Sequence, residues 1–415
     1  MFAEGKKRLK QNETMITIYI QAAFATLGFG LISPILPLYA RSFNVSIVMI
    51  GLLLTVVGAV RAILDVPLGK LSDRVGRRPF VILGPAISAL GSLIAALAGN
   101  YWHLLLARAI YGVGTTICLT ALQVMLTDIT TAENRGRVMS FYHGAFQVGH
   151  SAGPAIGGFL AYYYGIRVPF IAYSIVAVIA TFWALWRLKE TADTTGIARV
   201  KKKDPAGGEK APHEKKSSIV KQLLSDTSFL LIAALAFLHT MSRTGTNQTI
   251  LPIIAVENIH INTGQLGIAM SVTSIVHLAT IFIGGWMSDR FGRKYALIPG
   301  MLISSLGLVV FALSRSYLVF LLAAFAVGLG RGFAGSFIAY AADLAPENHY
   351  GSTLGLYHTF QDLGMVVGPI LMGWVAEQIG LSAPFYISAA AISIFVVFFG
   401  FFARETSGRA VRPRA

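Results

Sequence analysis

The sequence has little cysteine and little charge. Cys118 is the one cysteine in 415 residues, which excludes a disulfide framework and a cysteine-rich metal site. Charged residues make up 13% of the chain, about half of the ~25% typical of soluble domains. A Gly-x-x-x-x-Gly-Lys-Ser/Thr loop and a His-Glu-x-x-His motif are also absent. The one stretch with nucleophile-elbow spacing, Gly149-x-Ser151-x-Gly153, lies inside a long apolar segment rather than at a strand-to-helix turn. The sequence therefore does not indicate an ATPase, a metalloprotease or a serine hydrolase.

Hydrophobic sequence takes the place of charge. Hydrophobic residues make up 55% of the chain, and the mean hydropathy is +0.65. One membrane crossing needs about 20 mostly apolar residues. The sequence therefore predicts an all-α integral membrane protein with twelve transmembrane segments, numbered 1 to 12 in chain order. They lie near 15–39, 46–69, 80–99, 102–126, 138–162, 166–186, 228–252, 264–287, 295–314, 317–341, 352–376 and 382–403.

The net charge of +15 would suggest a nucleic-acid partner in a soluble protein, but the basic residues are unevenly placed. If the N-terminus is cytoplasmic, the opposite side of the membrane holds only Arg41, Arg167 and Arg315. This is the positive-inside bias of a membrane protein with both termini in the cytoplasm. We therefore expect a multi-pass protein of the plasma (inner) membrane that binds no nucleic acid.

One long polar stretch, residues 190–226, separates segments 6 and 7, and it predicts a cytoplasmic linker between residues 1–189 and residues 227–415. The two flanking regions repeat each other at an offset of 215 or 216 residues. For example, the tripeptide at 35–37 recurs at 250–252, and Asp128 recurs as Asp343. Because six crossings separate the copies, both have the same orientation. A parallel repeat predicts two six-helix bundles with substrate between them and alternating access.

A loop motif and two helix motifs carry a resemblance to a known family. The loop between segments 2 and 3 reads Gly, three residues, Asp, Arg, one residue, Gly, Arg, Arg, and it resembles the signature loop of the major facilitator superfamily. Segment 4 contains Leu104-x-x-x-Arg108-x-x-Tyr111-Gly112, which is similar to the family's second motif. The glycine and proline pattern of segment 5 is similar to the motif of drug–proton antiporters. The loop residues and their counterparts are Gly69, Asp73, Arg74, Gly76, Arg77, Arg78 and Asp128, then Gly285, Asp289, Arg290, Gly292 and Arg293.

The resemblance covers the whole chain. It implies secondary transport of a small molecule, most closely like the twelve-helix drug–proton antiporter branch, and a monomer. It also implies no cofactor, because a proton gradient supplies the energy. Segment 1 departs from the cation-exporting members, since it offers only Gln21 and Thr26 as internal polar groups where those members often carry a carboxylate.

The loop motif has a physical interpretation of its own. Gly69 permits close helix packing, and Asp73 with the arginines can form a charge network with Asp128 or Glu133. Such a network would act as a cytoplasmic gate, whereas the alternative is charges that merely flank the helices.

The small residues of segments 5 and 11 are interpreted in a similar way. Because they recur every four residues, they let the backbones of neighbouring helices approach closely. This close approach serves either helix packing alone or the exchange of substrates by an antiporter. The residues are Gly149, Gly153, Pro154 and Gly158, and their counterparts Gly364, Gly368 and Pro369.

Ionisable side chains inside a membrane are candidates for function. Asp362, about ten residues into segment 11, is the leading proton-coupling candidate; the alternative is a structural ion pair with Arg331 or His358. Arg61 and Asp65 lie four residues apart and either neutralise each other or join the loop network. The proton-coupling candidates are Asp362, Arg108, Asp65 and His277.

The substrate-binding candidates are predominantly basic or polar. His239, Arg243 and Asn247 recur every four residues along segment 7, a stripe that faces either the cavity or a neighbouring helix. Intramembrane arginines outnumber intramembrane aspartates, which suggests an amphipathic substrate bearing an acidic group anchored by Arg243 or Arg331. Uncharged and cationic substrates stay open. The full candidate set is Arg61, Gln147, His239, Arg243, Asn247, Arg331 and Gln361.

The favoured function is proton-coupled export of small amphipathic molecules, drug-like compounds or organic-anion metabolites, by alternating access. The alternatives within transport are a lipid or lysolipid flippase and a metabolite symporter or uniporter. A more distant alternative is a membrane-embedded enzyme or sensor.

Overall fold

The computed structural model describes residues 2–130, 134–191, 216–346 and 349–406. Most of the predicted linker, together with Glu133, lies outside these ranges, and the side chain of Asp73 lies outside the described side chains.

Each predicted membrane segment corresponds to helix in the structure, and most boundaries agree within a few residues. Segments 1 and 7 are each divided, and segment 10 contains one short irregular turn. The helices of the first half are Phe2–Ile32 with Leu36–Arg41, Ile47–Val75, Arg78–Ala96, Tyr101–Ile129, Arg135–Tyr164 and Val168–Arg187. Those of the second half are Thr227–Met241 with Ser242–Ile250 and Leu251–Glu257, Thr263–Phe291, Arg293–Leu313, Tyr317–Arg331 with Gly332–Ala334 and Gly335–Asp343, Tyr350–Ile379 and Ala383–Phe402. A further helix, Lys216–Ser225, occupies the end of the predicted linker.

Eleven of these segments are long and apolar enough to cross a membrane by composition alone, within the described residues. Segment 5, Arg135–Tyr164, is not among them. Its 30 residues extend about 45 Å, more than the ~30 Å hydrocarbon core requires. Its composition includes Gln147, His150 and many glycines, and these lower its hydropathy. In the described part of the chain the fold is therefore all-α with twelve helical segments, of which segment 5 is the one that does not meet this criterion.

Packing divides the chain into two units. The first comprises residues 1–43 and 56–209, and the second comprises residues 44–55 and 210–415. The start of segment 2 therefore packs with the second unit, where Thr55 donates a hydrogen bond to the Val366 carbonyl at 2.7 Å and the Val48 amide donates to Glu377 at 2.9 Å. The predicted domains, which follow the sequence repeat rather than packing, stay a prediction.

The first unit is held together by close backbone approach between segments 1 and 5. A Cβ on Gly153 would lie 2.5 Å from the Cα of Gly30, a distance that real Cβ atoms do not show. Gly149 lies against the backbone of segment 1 in the same way, at Ala23. Cys118 is 1% exposed and belongs to the apolar core of this unit.

The second unit repeats this packing between segments 7 and 11. A Cβ on Gly364 would lie 2.5 Å from the Phe237 carbonyl oxygen, and one on Gly368 would lie 2.8 Å from that of Met241. Gly149, Gly153, Gly364 and Gly368 thus serve helix packing, as small-residue spacing predicts. The packing role predicted for Gly69 is wrong, because a Cβ there, as at its counterpart Gly285, meets no atom within 4 Å.

The repeat also preserves a helix break. In segment 1 the first helix ends at Ile32 and a new one begins at Leu36, while in segment 7 an irregular helix ends at Ile250 and a new one begins at Leu251. Each new helix has proline in its first turn, where the missing amide hydrogen is tolerated.

Candidate functional site

The signature loop of the first unit forms the predicted charge contact with segment 4. Nε of Arg77 lies 2.8 Å from Oδ2 of Asp128, and the two side chains are only 13% and 17% exposed. Such a partly buried pair is less screened by water than a surface ion pair. The structure therefore confirms Asp128 as the partner of this loop.

A second acid completes the loop and was not among the predicted residues. The carboxylate of Glu190, just after segment 6, accepts hydrogen bonds from the backbone amides of Arg77 and Arg78, both at 3.0 Å. These amides begin the helix of segment 3, and a carboxylate at a helix N-terminus is stabilised by the exposed N–H groups and the helix dipole. Gly76 adopts φ +98°, and a Cβ there would lie 2.8 Å from Glu190 Oε2. Only glycine fits this turn without strain.

The second unit builds the same arrangement from its own copy. Nε of Arg293 lies 3.0 Å from Oδ2 of Asp343, and Arg293 also pairs with Asp289. The carboxylate of Glu405 accepts from the backbone amides of Arg293 at 2.8 Å and of Lys294 at 3.2 Å. Gly292 has φ +115°. In each unit, a glutamate just after the last segment thus binds the start of the third segment: segment 6 is joined to segment 3, and segment 12 to segment 9.

The sequence carried a signal for these acids. Lys189-Glu190-Thr191 recurs as Arg404-Glu405-Thr406 at the same 215-residue offset. Both copies lie at the polar ends of hydrophobic segments, where charged residues are expected in any case. The repeat comparison would have found them if it had been extended beyond the loop motif.

In the first unit, Arg61 is paired within its own helix. Its Nε lies 3.4 Å from Oδ2 of Asp65, and Oδ1 of Asp65 accepts a hydrogen bond from Thr120 at 2.8 Å. Arg61 and Asp65 are 53% and 38% exposed. Of the two predicted arrangements, the structure has the intrahelical pair.

Arg108, the arginine of the second family motif, is 4% exposed. Its guanidinium carbon lies 4.5 Å from the centroid of the Tyr111 ring, which is cation–π geometry. Gln147, the other polar candidate of this unit, donates a 3.5 Å hydrogen bond to Ser151 in its own helix.

Segment 7 departs from α-helical geometry where its polar residues lie. Residues Ser242–Ile250 form a π-helix, a rare form that frequently occurs at functional sites. Asn247, the last residue of the predicted polar stripe, is 7% exposed and donates to the Ser242 carbonyl at 3.1 Å. His239 and Arg243 lie at the start of this irregular stretch and interact electrostatically. Which side the stripe faces stays a prediction.

Segment 10 is irregular at a matching place. Its first helix ends at Arg331 and is followed by a single 3-10 turn, Gly332–Ala334. Segment 8 packs closely on both sides of this point: a Cβ on Gly328 would lie 2.5 Å from the Thr273 carbonyl oxygen, and Gly332 lies directly against Thr280. His277 lies between those two threonines in sequence, so the contacts bring it to Arg331.

Segment 11 carries Asp362 as the thirteenth of its 30 helical residues. This carboxylate is exposed at the protein surface yet has an interaction partner. The partners predicted for it are wrong: within the described residues Arg331 forms no ion pair, and Nδ1 of His358 lies 2.9 Å from Oε1 of Gln361 instead. Whether Asp362 and Gln361 act in coupling and binding stays a prediction.

Twelve membrane segments, a duplicated charged loop and irregular helices that carry polar groups inside the membrane define a transport protein rather than an enzyme. The profile of the Major Facilitator Superfamily matches residues 18–242 and 232–415. The chain belongs to this superfamily and transports small molecules across a membrane.

Two proteins named for drug resistance are similar to this chain over most of its length. Multidrug resistance protein 2 of Bacillus subtilis is 25% identical over 392 residues, covering 92% of this chain and 93% of that protein. The class H tetracycline resistance protein of Pasteurella multocida is 24% identical over 372 residues, covering 88% and 89%. Among solved structures, the nucleoside transporter NupG superposes with a TM-score of 0.74 at 14% identity, covering 93% of this chain and 98% of that one. The last similarity concerns the fold alone.

Proposed function

We propose that the protein is a proton-coupled exporter of small amphipathic molecules that works by alternating access. The observation that carries the proposal is the exposed carboxylate of Asp362 near the middle of a membrane helix. A carboxylate facing lipid is strongly unfavourable, so this side chain faces water inside the membrane region. A proton acceptor that water can reach is the element that coupling to a pH gradient needs.

The relatives support the direction of transport. Two of them are named for resistance to drugs and to tetracycline, and resistance by a transporter requires removal of the compound from the cytoplasm. A gradient also accounts for the energy source, since the sequence lacks an ATP-binding loop. We place both termini in the cytoplasm, following the basic loops, and the protein in the plasma membrane. The monomeric state stays a prediction.

The test is substrate-dependent proton movement in proteoliposomes with an internal pH indicator. Lipophilic cations, organic anions and lysolipids are added in turn across an imposed pH gradient. The wild-type protein should change the internal pH with at least one of these classes. Lack of any substrate-dependent pH change in active vesicles would overturn proton coupling.

Asp362→Asn identifies the coupling site in the same vesicles. It should abolish gradient-driven accumulation of the compound found in the screen but keep its exchange across equal pH, because asparagine preserves size and loses the titrating proton. Glu257→Gln, which removes a carboxylate at the end of segment 7, is the matched control and should behave as wild type. Full gradient-driven accumulation by Asp362→Asn would exclude Asp362 as the coupling group.

A further inference from the structure

Arg331 is half-buried in the second unit. Within the described residues its guanidinium has no ion pair and no hydrogen bond. The ionisable groups that interact with it are all basic: Arg243, His239 and His277. Arg243 has an interaction partner of its own, so Arg331 is the group of this set that lacks compensation.

An arginine in this position is energetically costly. An unpaired charge that is partly enclosed in a membrane protein loses hydration that neighbouring groups must replace. The positive charge of Arg243 nearby increases that cost rather than reduces it. Residues of this kind persist where a ligand or a water-filled space supplies the missing counter-charge.

The backbone holds Arg331 and His277 at one depth. Each is the fifteenth residue of its helix, Thr263–Phe291 or Tyr317–Arg331, about 21 Å from the helix start. Segments 8 and 10 run in the same direction, and they approach closely at Gly328 and Gly332, the residues that flank Arg331. The two side chains therefore belong to one level of the unit, near the interior of the membrane.

His239 brings the third basic group from segment 7. Its ring lies 5.7 Å from that of Phe337, which follows the 3-10 turn of segment 10. The three groups thus come from three helices, two of which lose regular α-helical geometry at this point. Discontinuous helices that carry polar groups at mid-membrane are a recurring form of substrate site in transporters.

We infer that Arg331, His277 and His239 form a binding site for the acidic group of an amphipathic organic anion. Arg331 binds the carboxylate or sulfonate through two parallel N–H donors, and the imidazoles donate further hydrogen bonds. The buried Phe337 ring packs beside His239 and limits the positions of its imidazole. This inference rests on the proposed exporter function and specifies its substrate class.

Binding is measured without a gradient, so that the test is independent of proton coupling. Purified protein is titrated calorimetrically with 4-phenylbutyrate and naphthalene-2-sulfonate, and with their neutral amides, which have the same apolar body. At least one anion should bind about tenfold or more tightly than its amide, since a charge-assisted bidentate contact is lost in the amide. Equal binding of each anion and its amide, or binding by neither anion, would overturn the site.

Substitutions then locate the site. Arg331→Gln should weaken anion binding about tenfold or more, Arg331→Lys should restore part of it as a monodentate contact, and His277→Gln should weaken it severalfold. Arg315→Gln, an exposed arginine at the start of the same segment, is the matched control and should bind as wild type.

If Arg331→Gln elutes as aggregate, His277→Gln decides the question, and unchanged anion affinity in the folded variant refutes the inference. The two proposals fail separately. Anion binding that depends on Arg331 but causes no substrate-dependent pH change in vesicles refutes proton coupling and leaves the site standing, whereas proton-coupled transport of cations alone refutes the site.

Discussion

In the first unit, Asp65 compensates Arg61 one helical turn away and the Tyr111 ring covers Arg108. In the second unit, the position equivalent to Arg61 holds His277, and the position equivalent to Thr116 holds Arg331, among further basic groups. The charged loops, by contrast, match in both units down to the capping glutamate. Duplication thus kept the charged loops and let the intramembrane charges diverge, which points to the second unit as the half that selects the substrate.

The largest expected effect comes from adding a methyl group at the closely packed glycines, and it compares how little space the two units leave there. Gly153→Ala and Gly368→Ala each place a Cβ within 3 Å of backbone atoms of a neighbouring helix. The clash should outweigh the gain of up to ~1 kcal/mol in helix propensity and lower the free energy of unfolding by about 1–3 kcal/mol. Thermal unfolding of the solubilised protein measures it.

Gly69→Ala supplies the control for this comparison. Its Cβ meets no atom within 4 Å, so the substitution should leave the protein unchanged or slightly more stable. A loss of stability at Gly69 as large as that at Gly153 would show that the clash is not the cause.

A smaller effect distinguishes the two capping glutamates. Glu190→Gln removes the negative charge at the start of the segment 3 helix, and Glu405→Gln removes that at the start of the segment 9 helix. The glutamine amide can accept hydrogen bonds only through its oxygen, whereas the carboxylate accepts through both oxygens. Loss of such a cap typically reduces stability by about 1 kcal/mol. Because Glu190 is half-buried and Glu405 is exposed, we expect the larger shift of the unfolding midpoint at Glu190. Equal shifts of the unfolding midpoint in the two variants would mean that the different solvent exposure of the two glutamates does not affect their contribution to stability.

The smallest effect concerns the compensated pair of the first unit. Thr120→Val keeps the shape of the side chain and removes its 2.8 Å hydrogen bond to Asp65. Water can replace that bond at a carboxylate that is 38% exposed, so we expect about 0.5 kcal/mol of destabilisation in the same unfolding assay. A loss above about 2 kcal/mol would show that Thr120 holds the pair together more firmly than its exposure indicates.

Sequence reasoning succeeded where one simple physical rule dominates. Bilayer thickness fixes the length of each segment, and the repeat offset pairs Asp128 with Asp343, so the segments and the contact between Arg77 and Asp128 could be predicted. Gly149, Gly153, Gly364 and Gly368 also lie against neighbouring helices as expected, since two helix backbones cannot approach closely with a larger side chain between them.

The remaining features depend on tertiary contacts. Residues Ser242–Ile250 of segment 7 form a π-helix in place of regular α-helix, and no residue pattern in the sequence predicts this change. Gly69 was assigned to packing by analogy with other glycines, although its Cα faces open space. Asp362 and Arg331 have opposite charges on neighbouring segments in the chain, yet the fold does not pair them.

Cys118 has a practical consequence for spectroscopy. Its thiol is 1% exposed in the core of the first unit, so maleimide reagents should react slowly with the natural chain. Cysteines introduced at Gly69 and Gly285, where added side chains meet open space, would then be the accessible labelling sites without prior removal of the native thiol. A fluorophore or spin-label pair at these two equivalent positions would test whether the distance between them changes during transport.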